Sequence, residues 1–116
     1  MNIKITKMNW KILENNHQLE QIKEESFNKL QLVFKHSTRC IISKMALKNF
    51  ENDFLLQDVI DAYYLDLIAY RNISSEIAEV FAVEHQSPQI LLIKDGVAVY
   101  TASHESIDAN VLMKIV

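Results

Sequence analysis

Residues 34–43 read FKHSTRCIIS, and they join the end of an apolar strand to the start of a helix through a polar segment. The preceding residues, 30–34, read LQLVF and are typical of a buried strand. Ser37 and Thr38 are residue types that favour the N-cap of a helix. The apolar face expected of this helix, which ends near residue 52, consists of Ile42, Met45, Ala46 and Phe50. A buried strand that leads directly into an amphipathic helix favours an α/β fold.

Short elements of alternating type extend this unit in both directions. The further predicted strands are 8–12, 63–68, 90–93 and 97–100, and the further predicted helices are 15–25, 73–81 and one from about 106 that buries Ile107, Val111 and Ile115. Asn15 and Gln18 form a predicted capping pair. Asp95-Gly96 predicts a tight hairpin with positive φ at both residues. The order β-α-β-α-β-α-β-β-α therefore predicts a mixed central β-sheet flanked by helices.

Composition restricts the class of protein. The chain has 116 residues, of which 49% are hydrophobic and 23% are charged, so we expect one domain over residues 1–116 with a substantial core. A net charge of −3 and the absence of a long basic run argue against nucleic-acid and membrane partners. No secretory leader or long apolar stretch is evident, and a single Cys suits a reducing compartment, so we expect a cytoplasmic protein.

Cys40, the one cysteine, lies where the predicted helix begins. Free backbone N–H groups and the positive end of the helix dipole stabilise a thiolate at such a position, and Arg39 adds a neighbouring positive charge. A lone Cys is also often a small buried hydrophobe, but Ser37, Thr38 and Ser43 make this segment polar. The pattern favours a nucleophilic thiol.

Ser43 occupies the position where a Cys-x-x-Cys protein has its second thiol. A hydroxyl can donate a hydrogen bond to a thiolate, but it cannot resolve a mixed disulfide. A redox cycle on Cys40 would therefore need an outside thiol. An ordinary residue of the first helical turn remains the simpler interpretation of Ser43 taken alone.

Residues 34–43 resemble the active-site segment of the monothiol bacilliredoxins of the YtxJ type, whose motif is approximately Thr-x-Cys-x-Ile-Ser. The resemblance covers nearly the whole chain and continues, in order, through residues 64–67, 70–74, 85–89, 98–100 and 102–104. Position 41 is often small or proline in such sites, and Ile41 departs from that pattern.

The resemblance implies a thioredoxin-like fold and a monothiol thiol–disulfide oxidoreductase. Cys40 would attack the mixed disulfide of an S-bacillithiolated protein, release that protein, and hold bacillithiol until free bacillithiol regenerates the thiol. Bacillithiol would be a co-substrate, and no tightly bound cofactor is expected. Pro88 matches the cis-proline that faces the active-site sulfur in this fold, and Ser87 would help to grip the substrate.

Further binding residues are predicted around the thiol. Thr38 is expected to cap the helix or contact the sulfur, and Arg39 to meet a carboxylate of bacillithiol's malate group, although a solvated arginine is an equal alternative. Three histidines, His36, His85 and His104, could converge near the thiol or face solvent. With one Cys and no close pair of histidines, no metal site is expected.

Two alternative functions remain open. One is a glutaredoxin-like monothiol protein that uses another small thiol, although Cys-Ile-Ile-Ser differs from the Cys-Gly-Phe-Ser of cluster-binding glutaredoxins. The other is a non-catalytic thioredoxin-like interaction module in which Cys40 is incidental.

Overall fold

The computed structural model describes residues 8–116. Within them, strands and helices follow the order β1-α1-β2-α2-β3-α3-β4-β5-α4, which confirms the predicted order. The strands are β1 Lys11–Ile12, β2 Leu30–His36, β3 Ile60–Asp66, β4 Gln89–Lys94 and β5 Val97–Ser103. The helices are α1 His17–Glu25, α2 Ile41–Asp53, α3 Arg71–Val80 and α4 Ala109–Ile115, with a 3₁₀ turn at His104–Ser106.

The strands form one mixed sheet in the order β1-β3-β2-β4-β5. Strand β3 is parallel to both β1 and β2, whereas β4 runs antiparallel to β2 and β5 antiparallel to β4. At one edge, His36 pairs with Asp66 and Lys35 pairs with Gln89. The loops after β2 and β3 and the loop before β4 therefore meet at this edge, which we call the active edge.

Both faces of β2 are covered. Leu32 and Phe34 belong to an apolar cluster with side chains of α2 and α4, whereas Val33 belongs to a second cluster with side chains of α1 and α3. The centre of the sheet is thus covered on both sides, as the predicted α/β class requires.

Two local predictions are confirmed. Asn15 Oδ1 accepts a hydrogen bond from the Gln18 N–H at 3.2 Å, and Gln18 Oε1 accepts one from the Asn15 N–H at 3.1 Å. The φ angles of Asp95 and Gly96 are +53° and +84°, as a type I′ hairpin turn demands.

The start and the buried face of α2 correct the prediction. Its N-cap is Cys40, rather than Ser37 or Thr38, because residues 37–40 close a turn in which the Cys40 N–H donates to the Ser37 carbonyl at 3.2 Å. The predicted apolar face is wrong at Ile42 and Met45, which are 50% and 60% exposed. The prediction is confirmed at Phe50, which is buried, and Ser43 is the other buried residue of the helix. Ser43 can be buried because its hydroxyl is hydrogen-bonded.

Other element boundaries also differ from the prediction. β1 is confined to two residues, so Ile12 is exposed and Leu13 is the buried residue. β2 extends to His36, and β3 both begins and ends earlier than predicted. The last helix begins only at Ala109, after an Asp108 cap. Ile107 is buried as predicted, but the buried residues of the helix itself are Ala109 and Leu112, while Val111 is half-buried and Ile115 is 49% exposed. The cause is that Ser106, the predicted start, ends the 3₁₀ turn, so α4 begins three residues later and with a different phase.

Candidate active site around Cys40

Cys40 is a free, half-buried cysteine at the N-terminus of α2. Its backbone is extended, with φ −111° and ψ 123°, and its carbonyl accepts the first helical hydrogen bond from the Lys44 N–H. The first turn of α2 contains no acidic residue. The thiol therefore lies beside unpaired backbone N–H groups and the positive helix end, with no carboxylate in that turn to oppose a thiolate.

Ser43 is fully buried behind the turn that carries Cys40. Its Oγ accepts a hydrogen bond from the Ser37 N–H at 2.9 Å and lies 2.7 Å from Nδ1 of His36. Burial lowers the pKa of His36 and so favours its neutral imidazole. The hydroxyl thus joins the end of β2, the turn and the helix, and it holds the backbone on both sides of Cys40.

Thr38 and Arg39 are exposed at the tip of the same turn. Within residues 8–116 the ion pairs are Lys11–Asp61 and Lys29–Asp61, so Arg39 has no carboxylate partner there. Both side chains are open to a ligand that approaches the sulfur.

The Ser87–Pro88 peptide bond is cis, and Pro88 is buried directly before β4. The Pro88 carbonyl accepts a hydrogen bond from the His104 N–H at 3.1 Å, which ties this loop to the end of β5. Ser87 is half-buried and makes no hydrogen bond to any residue from 8 to 116. Because Gln89 pairs with Lys35 on β2, the Ser87–Pro88 loop and the Cys40 turn lie at the same active edge.

An apolar surface extends from Cys40 along α2. The side chains of Ile41, Ile42 and Met45 are 70%, 50% and 60% exposed. Ile42 and Met45 also line a groove of about 310 Å³ whose other wall is the 3₁₀ turn with Ile107. An exposed apolar patch of this kind beside a reactive group is typical of an interaction surface.

A second polar cluster lies at the active edge, on the face of the sheet opposite to Ser43. The Lys35 side chain is fully buried, and its Nζ lies 2.8 Å from Nδ1 of His85, which is 3.3 Å from Oγ of Ser74. Burial lowers the pKa of Lys35 to about 8, and burial followed by the Lys35 charge lowers the pKa of His85. Lys35 was not among the predicted site residues because the predicted strand ends at Phe34, although the two-residue period from Val33 points the Lys35 side chain inward.

The three histidines do not converge on the thiol. His36 and His85 belong to separate clusters on opposite faces of the sheet, and His104 lies beside Pro88. In the part of the chain that the structure describes, no group of three or more His, Cys, Asp or Glu side chains could hold a metal ion. Nor is any helix between residues 8 and 116 long and apolar enough to cross a membrane.

A half-buried thiol at a helix start, opposite a buried proline loop on a mixed sheet, defines the thioredoxin-fold oxidoreductases. A solved structure with a thioredoxin fold is 37% identical, with a TM-score of 0.76 and 89% of each chain covered. Malassezia sympodialis thioredoxin is 19% identical, with a TM-score of 0.71 and coverage of 99% of this chain and 93% of that chain. Fasciola hepatica thioredoxin is 18% identical, with a TM-score of 0.66 and coverage of 90% and 93%.

The family within this class is identified from the amino-acid sequence. Residues 11–112 match the model of the family described as monothiol bacilliredoxin BrxC, so the chain belongs to that family. The predicted thioredoxin-like fold and the family resemblance are both confirmed, and they support a thiol redox role in general.

Proposed function

We propose that this protein removes bacillithiol from S-bacillithiolated proteins through a mixed disulfide on Cys40, in the cytoplasm. The observation that carries the proposal is the position of the chain's one thiol, at the N-terminus of α2 in a member of the monothiol bacilliredoxin family. The chain holds no second cysteine, so an outside thiol must complete the cycle, and we propose that bacillithiol does so as a co-substrate.

The reaction consists of two thiol–disulfide exchanges. The Cys40 thiolate attacks the bacillithiol sulfur of the substrate, so that a Cys40–bacillithiol disulfide forms and the protein–bacillithiol disulfide breaks. The protein sulfur leaves as a thiolate and takes a proton from solvent. A second bacillithiol thiolate then attacks the bacillithiol sulfur bound to Cys40, which yields bacillithiol disulfide and restores the Cys40 thiolate.

The loops at the active edge supply binding. Ser87 has free backbone groups beside Pro88 and would pair with an extended segment of the substrate protein, as in strand addition. The exposed side chains of Ile41 and Met45 would contact apolar residues of that protein. Thr38 and Arg39 would meet the small thiol, while Ser43 acts through the backbone of the turn.

The test uses a model protein that carries one S-bacillithiol group. Wild-type protein should free the thiol of the model protein and, with free bacillithiol present, yield bacillithiol disulfide; when free bacillithiol is left out, mass spectrometry should find one bacillithiol on Cys40. Cys40→Ser and wild-type protein alkylated with iodoacetamide should both be inactive while their circular dichroism is unchanged. Equal release by Cys40→Ser would contradict the proposal.

The alternatives give different results in the same assay. A glutaredoxin-like protein that uses another small thiol should act faster on the glutathionylated or cysteinylated model protein than on the bacillithiolated one. A non-catalytic interaction module should bind all of these proteins without releasing any small thiol.

A further inference from the structure

We propose that the pocket in front of His85 binds a carboxylate of the small-thiol substrate, with Lys35 as the buried positive charge behind it. The inference rests on the proposed function for the identity of the ligand. It rests on separate residues, however, because Cys40 and its turn do not line this pocket.

The pocket has a volume of about 410 Å³ and lies against the first half of α3. Its lining residues are Leu67, Arg71, Ser74, Ser75, Ala78 and His85. None of them is acidic, and four carry hydrogen-bond donors for an anion: one guanidinium, two hydroxyls and one imidazole. Arg71 is the first residue of α3, so the positive end of this ten-residue helix faces the same region.

Lys35 supplies the second observation. Its side chain is 0% exposed, yet no carboxylate between residues 8 and 116 forms an ion pair with it. The ammonium has three N–H donors and one acceptor, Nδ1 of His85. A buried charge of this kind is costly unless a counter-charge is nearby, and the chain described here provides none.

His85 lies between the buried Lys35 ammonium and the pocket. Because Lys35 donates a hydrogen bond to Nδ1, a neutral His85 carries its proton on Nε2 and presents that N–H as a donor. Asp66, at the end of β3, is already engaged within its own loop, since its Oδ1 accepts hydrogen bonds from the N–H groups of Ile68 and Ala69. Because none of the lining residues is acidic, an entering carboxylate would meet donors in the pocket wall.

The pocket opens at the active edge. Leu67 lines it, and the Leu67 N–H donates to the carbonyl of His36, the residue before the Cys40 turn. His85 lies in the same loop as the Ser87–Pro88 bond. A ligand whose sulfur reacts at Cys40 can thus direct an acidic group toward this pocket.

The first experiment measures carboxylate binding directly, with L-malate as the probe. Backbone amide NMR of wild-type protein should show saturable shifts at Arg71, Ser74, Ser75 and His85. Lys35→Met should weaken the malate affinity at least tenfold, whereas Lys94→Met, which removes an exposed lysine with no role in the pocket, should leave it within twofold. Equal losses in both variants, or no shifts in the wild type, would overturn the proposal.

The second experiment identifies the source of the carboxylate. Cys40 is reacted with bacillithiol disulfide, which carries carboxylates, and with bis(2-hydroxyethyl) disulfide, which carries none. Lys35→Met should slow the first reaction at least fivefold and leave the second within twofold. Equal slowing of both reactions, or no slowing of the reaction with bacillithiol disulfide, would contradict the assignment to the small thiol.

The two experiments distinguish a failure of the carboxylate pocket from a failure of the proposed function. A Cys40 that never reacts with bacillithiol disulfide would refute the proposed function, while malate shifts in the same sample would still support an anion pocket.

Discussion

Two neighbouring residues of β2 begin two different polar clusters at one edge of the sheet. His36 points toward α2 and contacts the fully buried hydroxyl of Ser43. Lys35 points toward α3 and contacts His85, which contacts Ser74. Each cluster thus contains a histidine and a helix serine, but the first is closed and the second borders an open pocket.

The two clusters differ in whether their polar and charged groups find all of their partners within the protein. Ser43 connects a backbone N–H of the Cys40 turn to an imidazole whose neutral form burial favours, so the cluster is complete without a ligand. Lys35 retains a buried charge with no counter-ion within residues 8–116. The first cluster therefore positions the thiol, and the second is suited to binding.

Ser43→Ala should have the largest effect on stability. The substitution leaves the Ser37 N–H and the His36 imidazole without their partner in a buried site, so the free energy of unfolding should fall by about 2 to 3 kcal/mol. Urea denaturation measures this change.

Ser74→Ala is the matched variant on the other face, because Ser74 is also buried but makes one longer contact, at 3.3 Å. It should cost less than about 1 kcal/mol. An equal cost for the two serines would remove the distinction between a closed and an open cluster.

Lys35→Met should stabilise the protein at neutral pH by about 2 kcal/mol. The lowering of the Lys35 pKa from 10.5 to about 8 corresponds to about 3 kcal/mol of folding penalty, from which the lost hydrogen bond to His85 subtracts about 1 kcal/mol. A gain in stability together with weaker malate binding would exclude unfolding as the cause of the lost binding.

The advantage of Lys35→Met should depend on pH. Between about 8 and 10.5 the unfolded lysine keeps its proton while the folded one loses it, so wild-type stability rises with pH. Thermal unfolding of both proteins across this range should show the difference shrinking. A constant difference would mean that Lys35 does not titrate in the folded protein as the structure indicates.

The sequence predicts best where neighbouring residues determine the geometry. The Asn15–Gln18 cap and the Asp95–Gly96 turn depend on contacts within a few residues, and both were predicted correctly. The start of α2 was not, because Cys40 becomes the N-cap only when Ser43 is anchored to Ser37 and to His36, which belongs to the sheet.

The same contrast between local and distant contacts applies to the residues of the site. Cys40 was identified from its position before a helix and from the family resemblance, and its placement at the helix N-terminus agrees with that reasoning. The Lys35–His85–Ser74 cluster joins three segments that are distant in sequence, so no local pattern predicts the contacts among its members. The sequence did contain one signal, a lysine whose position in the two-residue period of the strand places it on a buried face.

The smallest expected effect is a change in the pKa of one histidine and not of the other. Burial lowers the pKa of both His36 and His85, but only His85 is also affected by the Lys35 charge. In Lys35→Met the titration midpoint of the His85 imidazole should therefore rise, because the neighbouring positive charge is removed. The midpoint of His36 should not move, and imidazole proton NMR follows both residues in one titration. Equal shifts of the two midpoints would show that the clusters are coupled through β2, and the division of the active edge into a positioning side and a binding side would then fail.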